Sequence, residues 1–188
     1  MKRSITHLAL PRGLRPYTSA DLPTMTEIFN ETALSGVSSP VVRPLNLEEM
    51  TFFVSFYVKE GGPVYVCERG GEVVAWLSVN RFSWGGQACR LTGEASIYVR
   101  SDLVGSGLGL RMGRAAVVLA ERYGFETLVG WVIEHNDASR RTAQGLGGTL
   151  WGRFPDIARF GEQRRDVVLY GLPLEPQAAE QEHALMAG

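Results

Sequence analysis

The apolar positions of this chain recur at two spacings, and the switch between them marks its elements. From Glu94 to Val99 the run Glu-Ala-Ser-Ile-Tyr-Val has the composition and length of a β-strand. Beyond it, Leu108, Met112, Ala115, Leu119 and Tyr123 recur at helical spacing. Between the two lies Val104-Gly105-Ser106-Gly107-Leu108-Gly109. The same reading predicts a short first strand at Leu14-Arg15-Pro16. A helix follows from the Thr18-Ser19-Ala20-Asp21 capping box to about Ala33, and a second helix is capped by Asn46-Leu47-Glu48-Glu49 and ends before Gly61-Gly62-Pro63.

Val64–Glu68 and Val73–Val79 read as strands joined in a hairpin by Arg69-Gly70-Gly71-Glu72. Ser35–Pro44 and Arg81–Gln87 read as loops, and Cys89–Val99 as the next strand. Gly124 stops the third helix. Thr127–Ile133 is a further strand, and Asn136-Asp137-Ala138-Ser139 caps a short helix ending at Gly147-Gly148. Val167–Leu172 is the last strand predicted. The resulting order, β-α-α-β-β-β-α-β-α-β, predicts an α/β (α+β) fold, a mixed sheet with helices on it. One domain over residues 13–174 is expected, with an N-terminal extension at 1–12 and a polar tail at 175–188.

Composition narrows the function. The chain has 188 residues, 45% of them hydrophobic, and a formal net charge of −1. That balance argues against a broad nucleic-acid footprint. No run reaches the roughly 20 apolar residues of a membrane helix, and the first ten residues make a poor signal peptide, so a cytoplasmic protein is expected. The two cysteines, Cys67 and Cys89, are expected to be buried free thiols. His7 and His183 lie in terminal segments, and no residues have metal-ligand spacing.

A glycine-rich turn opening a helix offers unpaired N–H groups and the positive end of the helix dipole, which together suit phosphate. The Rossmann fingerprint fails here, because its third glycine would fall on Leu110 or Met112. The P-loop fails because Leu110-Arg111 follows Gly109.

Strand, Gly-x-Gly-x-Gly, helix, strand and Asn136-x-x-Ser139 together resemble the GCN5-related N-acetyltransferases (GNAT). Within them the chain is most similar to the phosphinothricin and L-amino-acid N-acetyltransferases. The resemblance rests also on Leu14-Arg15-Pro16, Asp21-Leu22-Pro23 and Asp166-Val167-Val168-Leu169. Gly107 and Gly109 match the family's pyrophosphate loop, whereas Val104 stands where an Arg or Gln is usual.

What the resemblance implies is an acetyl-CoA-dependent transfer to the amine of a small molecule, an amino acid or a phosphinothricin-like analogue. Transfer is direct, without a covalent enzyme intermediate. The N–H groups of Gly105, Ser106, Gly107, Leu108, Gly109 and Leu110 would wrap the pyrophosphate. Main chain from Ile97 through Tyr98 to Val99 would pair with the pantetheine arm and direct an N–H at the acetyl oxygen. Glu94, the only acidic residue on its strand, would be the base that deprotonates the ammonium. Asn136 would bridge to cofactor or substrate, or else cap its helix.

Arg111, Arg114, Arg140 and Arg141 are candidates for the 3′-phosphate or for a solvated face. Trp76, Trp84 and Trp131 are expected in core or cleft wall. Ala143 stands where relatives carry a Tyr or His that protonates the departing thiolate, leaving Tyr98 and His135 unassigned and water as a source. Close relatives are usually homodimers, so a homodimer is expected. Val104 and Ala143 keep open a non-catalytic acyl-CoA-binding module. An enzyme acting on a protein N-terminus or an aminoglycoside is a further alternative.

Overall fold

The computed structural model describes residues 9–33, 38–39, 41–82 and 86–174. His7, His183, Trp84, the 175–188 tail and most of the 1–12 extension therefore lie outside the described residues. One mixed sheet of seven strands runs in the order β1-β2-β3-β4-β5-β7-β6. Its strands are β1 (Leu14–Pro16), β2 (Val64–Arg69), β3 (Glu72–Arg81), β4 (Thr92–Val99), β5 (Thr127–Ile133), β6 (Thr149–Phe160) and β7 (Gln163–Pro173). All neighbours are antiparallel except β4 and β5.

Helices α1 (Leu22–Ala33) and α2 (Leu47–Lys59) cover one face of the sheet. Leu22, Met25, Ile28 and Phe29 of α1 and Met50 and Val54 of α2 pack there on Val64, Val66, Val73 and Trp76. On the other face α3 (Leu108–Arg122) sets Leu108, Met112, Ala115, Ala116 and Leu119 against Val74, Leu77, Val79 and Leu128. The helical spacing read from the sequence is thus the buried stripe of α3, although its last member, Tyr123, is exposed. Helix α4 (Asp137–Gly145) lies beside α3. Gly113 permits that approach, because a Cβ there would fall 2.7 Å from the Leu146 side chain.

Local signals explain the starts of these elements. Asp21 accepts from the Thr18 N–H and hydroxyl, and Asn46 and Glu49 form a reciprocal capping box at α2. Arg15 of β1 grips the Asp21 carboxylate with both terminal nitrogens and also bonds Glu68. This clamp holds the Asp21 carboxyl down at about 2, the Arg15 hydrogen bonds being the main cause.

The structure corrects the predicted order in two places. Two strands, not one, follow α4, because Thr149–Phe160 forms β6 at the sheet edge. Its ladder with β7 is broken at Leu150/Gly152 and Phe154/Ala158, and Pro155 sits inside the second break. Strand β4 begins at Thr92, and Cys89 instead ends a short 3₁₀ turn, Gly86–Cys89. Both cysteines are unpaired; burial pushes the Cys67 thiol up, while Cys89 is half-buried.

Candidate active site

The parallel pairing of β4 and β5 covers only Thr92↔Thr127, Gly93↔Leu128 and Glu94↔Val129. Both strands continue past that point. β4 stays paired with β3 as far as Val99, and β5 with β7 as far as Ile133. The sheet therefore opens between them, with Glu94 at the apex.

Register decides which main-chain groups face the opening. Arg100 N–H donates to the Val74 carbonyl and Phe82 N–H to the Thr92 carbonyl, both across the β3–β4 ladder. Alternation in an antiparallel pair then turns the N–H and C=O of Glu94, Ser96 and Tyr98 towards β3. Those of Ala95, Ile97 and Val99 turn towards the opening. Ile97 and Val99 thus present main-chain groups to the opening. Tyr98 does not: its main chain belongs to the ladder with Trp76, and its ring stacks on Trp76 at 4.2 Å. The main-chain role expected of Tyr98 is corrected to a packing one.

At the mouth of the opening the chain leaves β4, passes a 3₁₀ turn at Ser101–Leu103, and enters α3. Gly105 and Gly107 have φ of 84° and 82°, the left-handed region that glycine occupies without strain. A Cβ on Gly107 would meet no atom within 4 Å, so the backbone angle, rather than crowding within the protein, calls for glycine. Among the described residues the N–H groups of Gly105, Gly107, Gly109 and Leu110 have no protein acceptor, while Arg111 begins the helical ladder on Gly107. Leu108 N–H reaches Ser106 Oγ at a long 3.4 Å. Ser106 N–H donates to the Leu103 carbonyl and Val104 N–H to the Ser101 carbonyl, so the N–H role expected of Ser106 is corrected to a turn within the loop. An array of unused donors on a helix N-terminus fits a pyrophosphate. Val104 is 59% exposed beside it.

Glu94, Ser96 and Tyr98 share the face of β4 turned towards α1 and α2. Trp131 of β5 donates its indole N–H to Glu94 Oε2 at 3.3 Å. Tyr57 of α2 and Tyr98 both feel the Glu94 charge. Burial chiefly raises both phenols, Tyr98 to about 12, so each is a neutral donor near neutral pH. Phe82 lies nearly parallel to Trp131, at 6.3 Å and 21°, and Phe154 meets it edge-on at 5.2 Å. Trp131 is thus cleft wall and Trp76 is core. Sequence reasoning missed Tyr57, Phe82 and Phe154, which reach Glu94 or Trp131 from separate elements and share no motif with either.

Asn136 is buried and its Oδ1 accepts from Ser139 N–H at 3.0 Å, a helix cap. Ala143 packs on Val132, Val168 and Tyr170, so no ionisable side chain stands at that position. His135 is exposed. Arg140 is bonded to Tyr170, paired with Asp137 and contacts the Glu134 carbonyl, whereas Arg111 and Arg114 line a cavity of about 200 Å³ with Ala9, Pro11 and Val118. No group of three or more His, Cys, Asp or Glu that could hold a metal occurs among the described residues. No described helix is long and apolar enough to cross a membrane.

Residues 12–149 match the family model described as an acetyltransferase (GNAT) domain, and the chain belongs to that family of acetyltransferases. It is 31% identical over 162 residues to the Bacillus subtilis (strain 168) protein named "Putative phosphinothricin acetyltransferase YwnH", covering 86% of this chain and 98% of that one. An L-methionine sulfoximine/L-methionine sulfone acetyltransferase of Pseudomonas paraeruginosa (strain DSM 24068 / PA7) is 27% identical, covering 87% and 95%. Among solved structures, a GNAT phosphinothricin acetyltransferase from Sinorhizobium meliloti in complex with acetyl-CoA superposes with a TM-score of 0.80 at 25% identity, covering 88% and 93%. The acyl donor is acetyl-CoA, and the free donors of the α3 start and the unpaired β4 edge fit it.

Proposed function

We propose that the protein acetylates the amine of a small molecule by direct transfer, with Glu94 as base. The relatives' names point to an amino acid or a phosphinothricin-like analogue as acceptor. The observation that carries the reading is the end of β4–β5 pairing at Glu94, which puts a carboxylate at the apex of an opening edged by free main-chain groups.

Acetyl-CoA supplies an activated thioester. Main-chain N–H groups of Gly105, Gly107, Leu108, Gly109 and Leu110 hold its pyrophosphate, and Ile97 and Val99 hold its arm along β4. An N–H fixed on this strand stabilises charge as it develops on the carbonyl oxygen, without reorganising. A free amine is mostly protonated at neutral pH, with a pKa of about 10.4 for a lysine-like group. Glu94, directly or through water, accepts that proton before attack. Water is the proton source for the thiolate, because Ala143 supplies none. We further propose a cytoplasmic homodimer.

The test is thiol release against a panel of amines, with wild type and Glu94→Gln. Cofactor-dependent release that falls at least a hundredfold in the variant, with acetyl-CoA affinity held within twofold, supports the reading. Unchanged turnover removes Glu94 as base. Cofactor binding without release from any amine would make the protein a binding module.

A further inference from the structure

We propose that Arg165 holds an anion at the far end of the acceptor, and that the row Phe82–Trp131–Phe154 seats the stem between that anion and the reacting amine. The acceptor's class is a primary amine joined through an extended apolar stem to a carboxylate. This rests on the proposed acetylation of a small-molecule amine with Glu94 as base, and adds a second anchor to that site.

Register places the guanidinium. Val167 of β7 is the partner of both Ile133 and Phe154, and Leu169 is the partner of Trp131. Arg165 lies two residues beyond Val167, so it shares the sheet face that carries Trp131, Phe154 and Glu94. Trp131 touches Glu94 through its indole nitrogen and Phe82 and Phe154 through its rings. Trp131 and Phe154 stay 41% and 37% exposed, although rings of this size are favoured inside. Helices α1 and α2 pack on β2, β3 and β4, short of this strip. The row and Arg165 thus lead away from the base along one face.

Arg165 has the chemistry of an unfilled anion site. Its side chain is half-buried, and its Nε is shut off from solvent with no acceptor among the described residues. Nη2 donates to Gln163 Oε1 at 2.9 Å, which steadies the fork without neutralising it. None of the ion pairs among the described residues includes it, and Ala158, its partner across the ladder, has no side-chain acceptor. Arg153, on the opposite face, is by contrast closed by Glu134 at 2.9 Å and Asp166 at 2.6 Å. A buried N–H without an acceptor is costly, so turning the Nε edge outward sacrifices nothing at Nε. Outward, that edge gives a carboxylate two parallel bonds. Residues 159–165 hold three arginines and one glutamate, so this end of the strip is positive where Glu94 makes the other end negative.

The span sets the length of the acceptor. Arg165 lies four residues along β7 from the partner of Trp131, about 13 Å at strand rise, and the reach of the side chains closes this to roughly 10 Å between amine and anion. An α-amino acid is too short, because its ammonium and carboxylate sit on the same carbon. Seated on Glu94, it leaves Arg165 unfilled. An extended stem reaches both ends and gains by covering the exposed rings. Its ammonium is drawn by Glu94 and by the ring faces, which attract cations. The reaction is unchanged: the acetyl group leaves sulfur for nitrogen, coenzyme A departs as the thiol, and one proton is released.

The full-length protein is assayed for thiol release with acetyl-CoA and 8-aminooctanoate, whose extended length matches the span, and with its uncharged amide. The short pair 4-aminobutanoate and 4-aminobutanamide, and 2-phenylethylamine, are run beside them. We expect kcat/KM for the long acid to exceed that of its amide at least tenfold, and the short acid to show no advantage over its amide. In Arg165→Gln the KM for 8-aminooctanoate should rise at least tenfold with kcat within twofold. KM for the long amide and for 2-phenylethylamine should stay within twofold. A wild type that treats the long acid and amide alike overturns the proposal and leaves the acetyltransferase reading standing. So does a short acid that gains as much as the long one, an Arg165→Gln that shifts long acid and amide equally, or turnover of other amines without the long acid. Release from no amine at all overturns both. If Arg165→Gln fails to fold, the wild-type acid and amide pairs decide alone.

Discussion

Glu94 and Trp131 meet at 3.3 Å, and the two residues make separable predictions. With Glu94 as the proposed base, Glu94→Gln removes the proton acceptor while keeping size and polarity, and kcat is expected to fall by about 10² or more, the usual range for a positioned base. Trp131→Phe keeps a ring in the row but drops the indole donor. Its kcat should fall severalfold, well short of Glu94→Gln, with KM for 2-phenylethylamine within twofold. Steady-state kinetics on the two variants decide this. A Trp131→Phe loss equal to that of Glu94→Gln would show that the indole donor matters as much as the base. Tyr57 and Tyr98, neutral phenols near the same carboxylate, set the polarity of the hollow without adding charge.

At the scale of elements, two junctions can be tested. At the start of α3, Gly107→Val forces a β-branched residue to a φ of 82°, at a cost of roughly 1–2 kcal/mol or more. On the proposed reading the new side chain would also stand where the pyrophosphate binds. Calorimetry should show acetyl-CoA affinity reduced at least tenfold; unchanged affinity removes the loop from the site. At the β1–α1 junction Asp21 is held near 2, below the usual value of 3.8. The folded value is the depressed one, so the linked stability is present above the unfolded value and is lost as pH falls towards 2. It amounts to at most about 2 kcal/mol. Asp21→Asn should therefore melt several degrees lower than wild type at pH 6, and the gap should close between pH 4 and pH 2. A gap independent of pH would remove the ionic clamp as its cause. Elements with local signals were legible: capping boxes, the Gly70-Gly71 hairpin, and a helical stripe following a strand. Strand β6 was not, because Gly152, Pro155 and two register breaks destroy the period-2 pattern that names a strand. Glu94 and the glycines were singled out together because one motif holds them, and the structure sets them at the two ends of the β4 edge that β5 leaves unpaired. Tyr98 was misassigned because β-ladder parity comes from pairing with β3, which the sequence of β4 alone does not contain.

Among the described residues, α2 exposes an apolar stripe that neither the cofactor nor the acceptor uses. On α2, Met50 and Val54 face the core, while Phe52 and Phe56, four residues apart, lie together on the solvent side at 74% and 56% exposure. Val42, in the segment before α2, is 71% exposed. A stripe of this kind on a charged, otherwise ordinary surface is worth most when covered. A second copy can cover it symmetrically, since a two-fold contact sets the same patch of each subunit against itself. The formal net charge of −1 leaves little repulsion between copies. A stable contact needs about 800 Å² from each partner, more than two phenyl rings provide, so the flanking turns of α2 must join it. Sedimentation of the wild type should give a dimer at micromolar concentration, and Phe52→Glu with Phe56→Glu should give a monomer. Both side chains are solvent-facing, so the melting temperature of that monomer measures what the contact contributes, and its thiol release measures whether a single copy holds a complete site. A wild type that sediments as a monomer would leave the α2 stripe without a partner of its own kind.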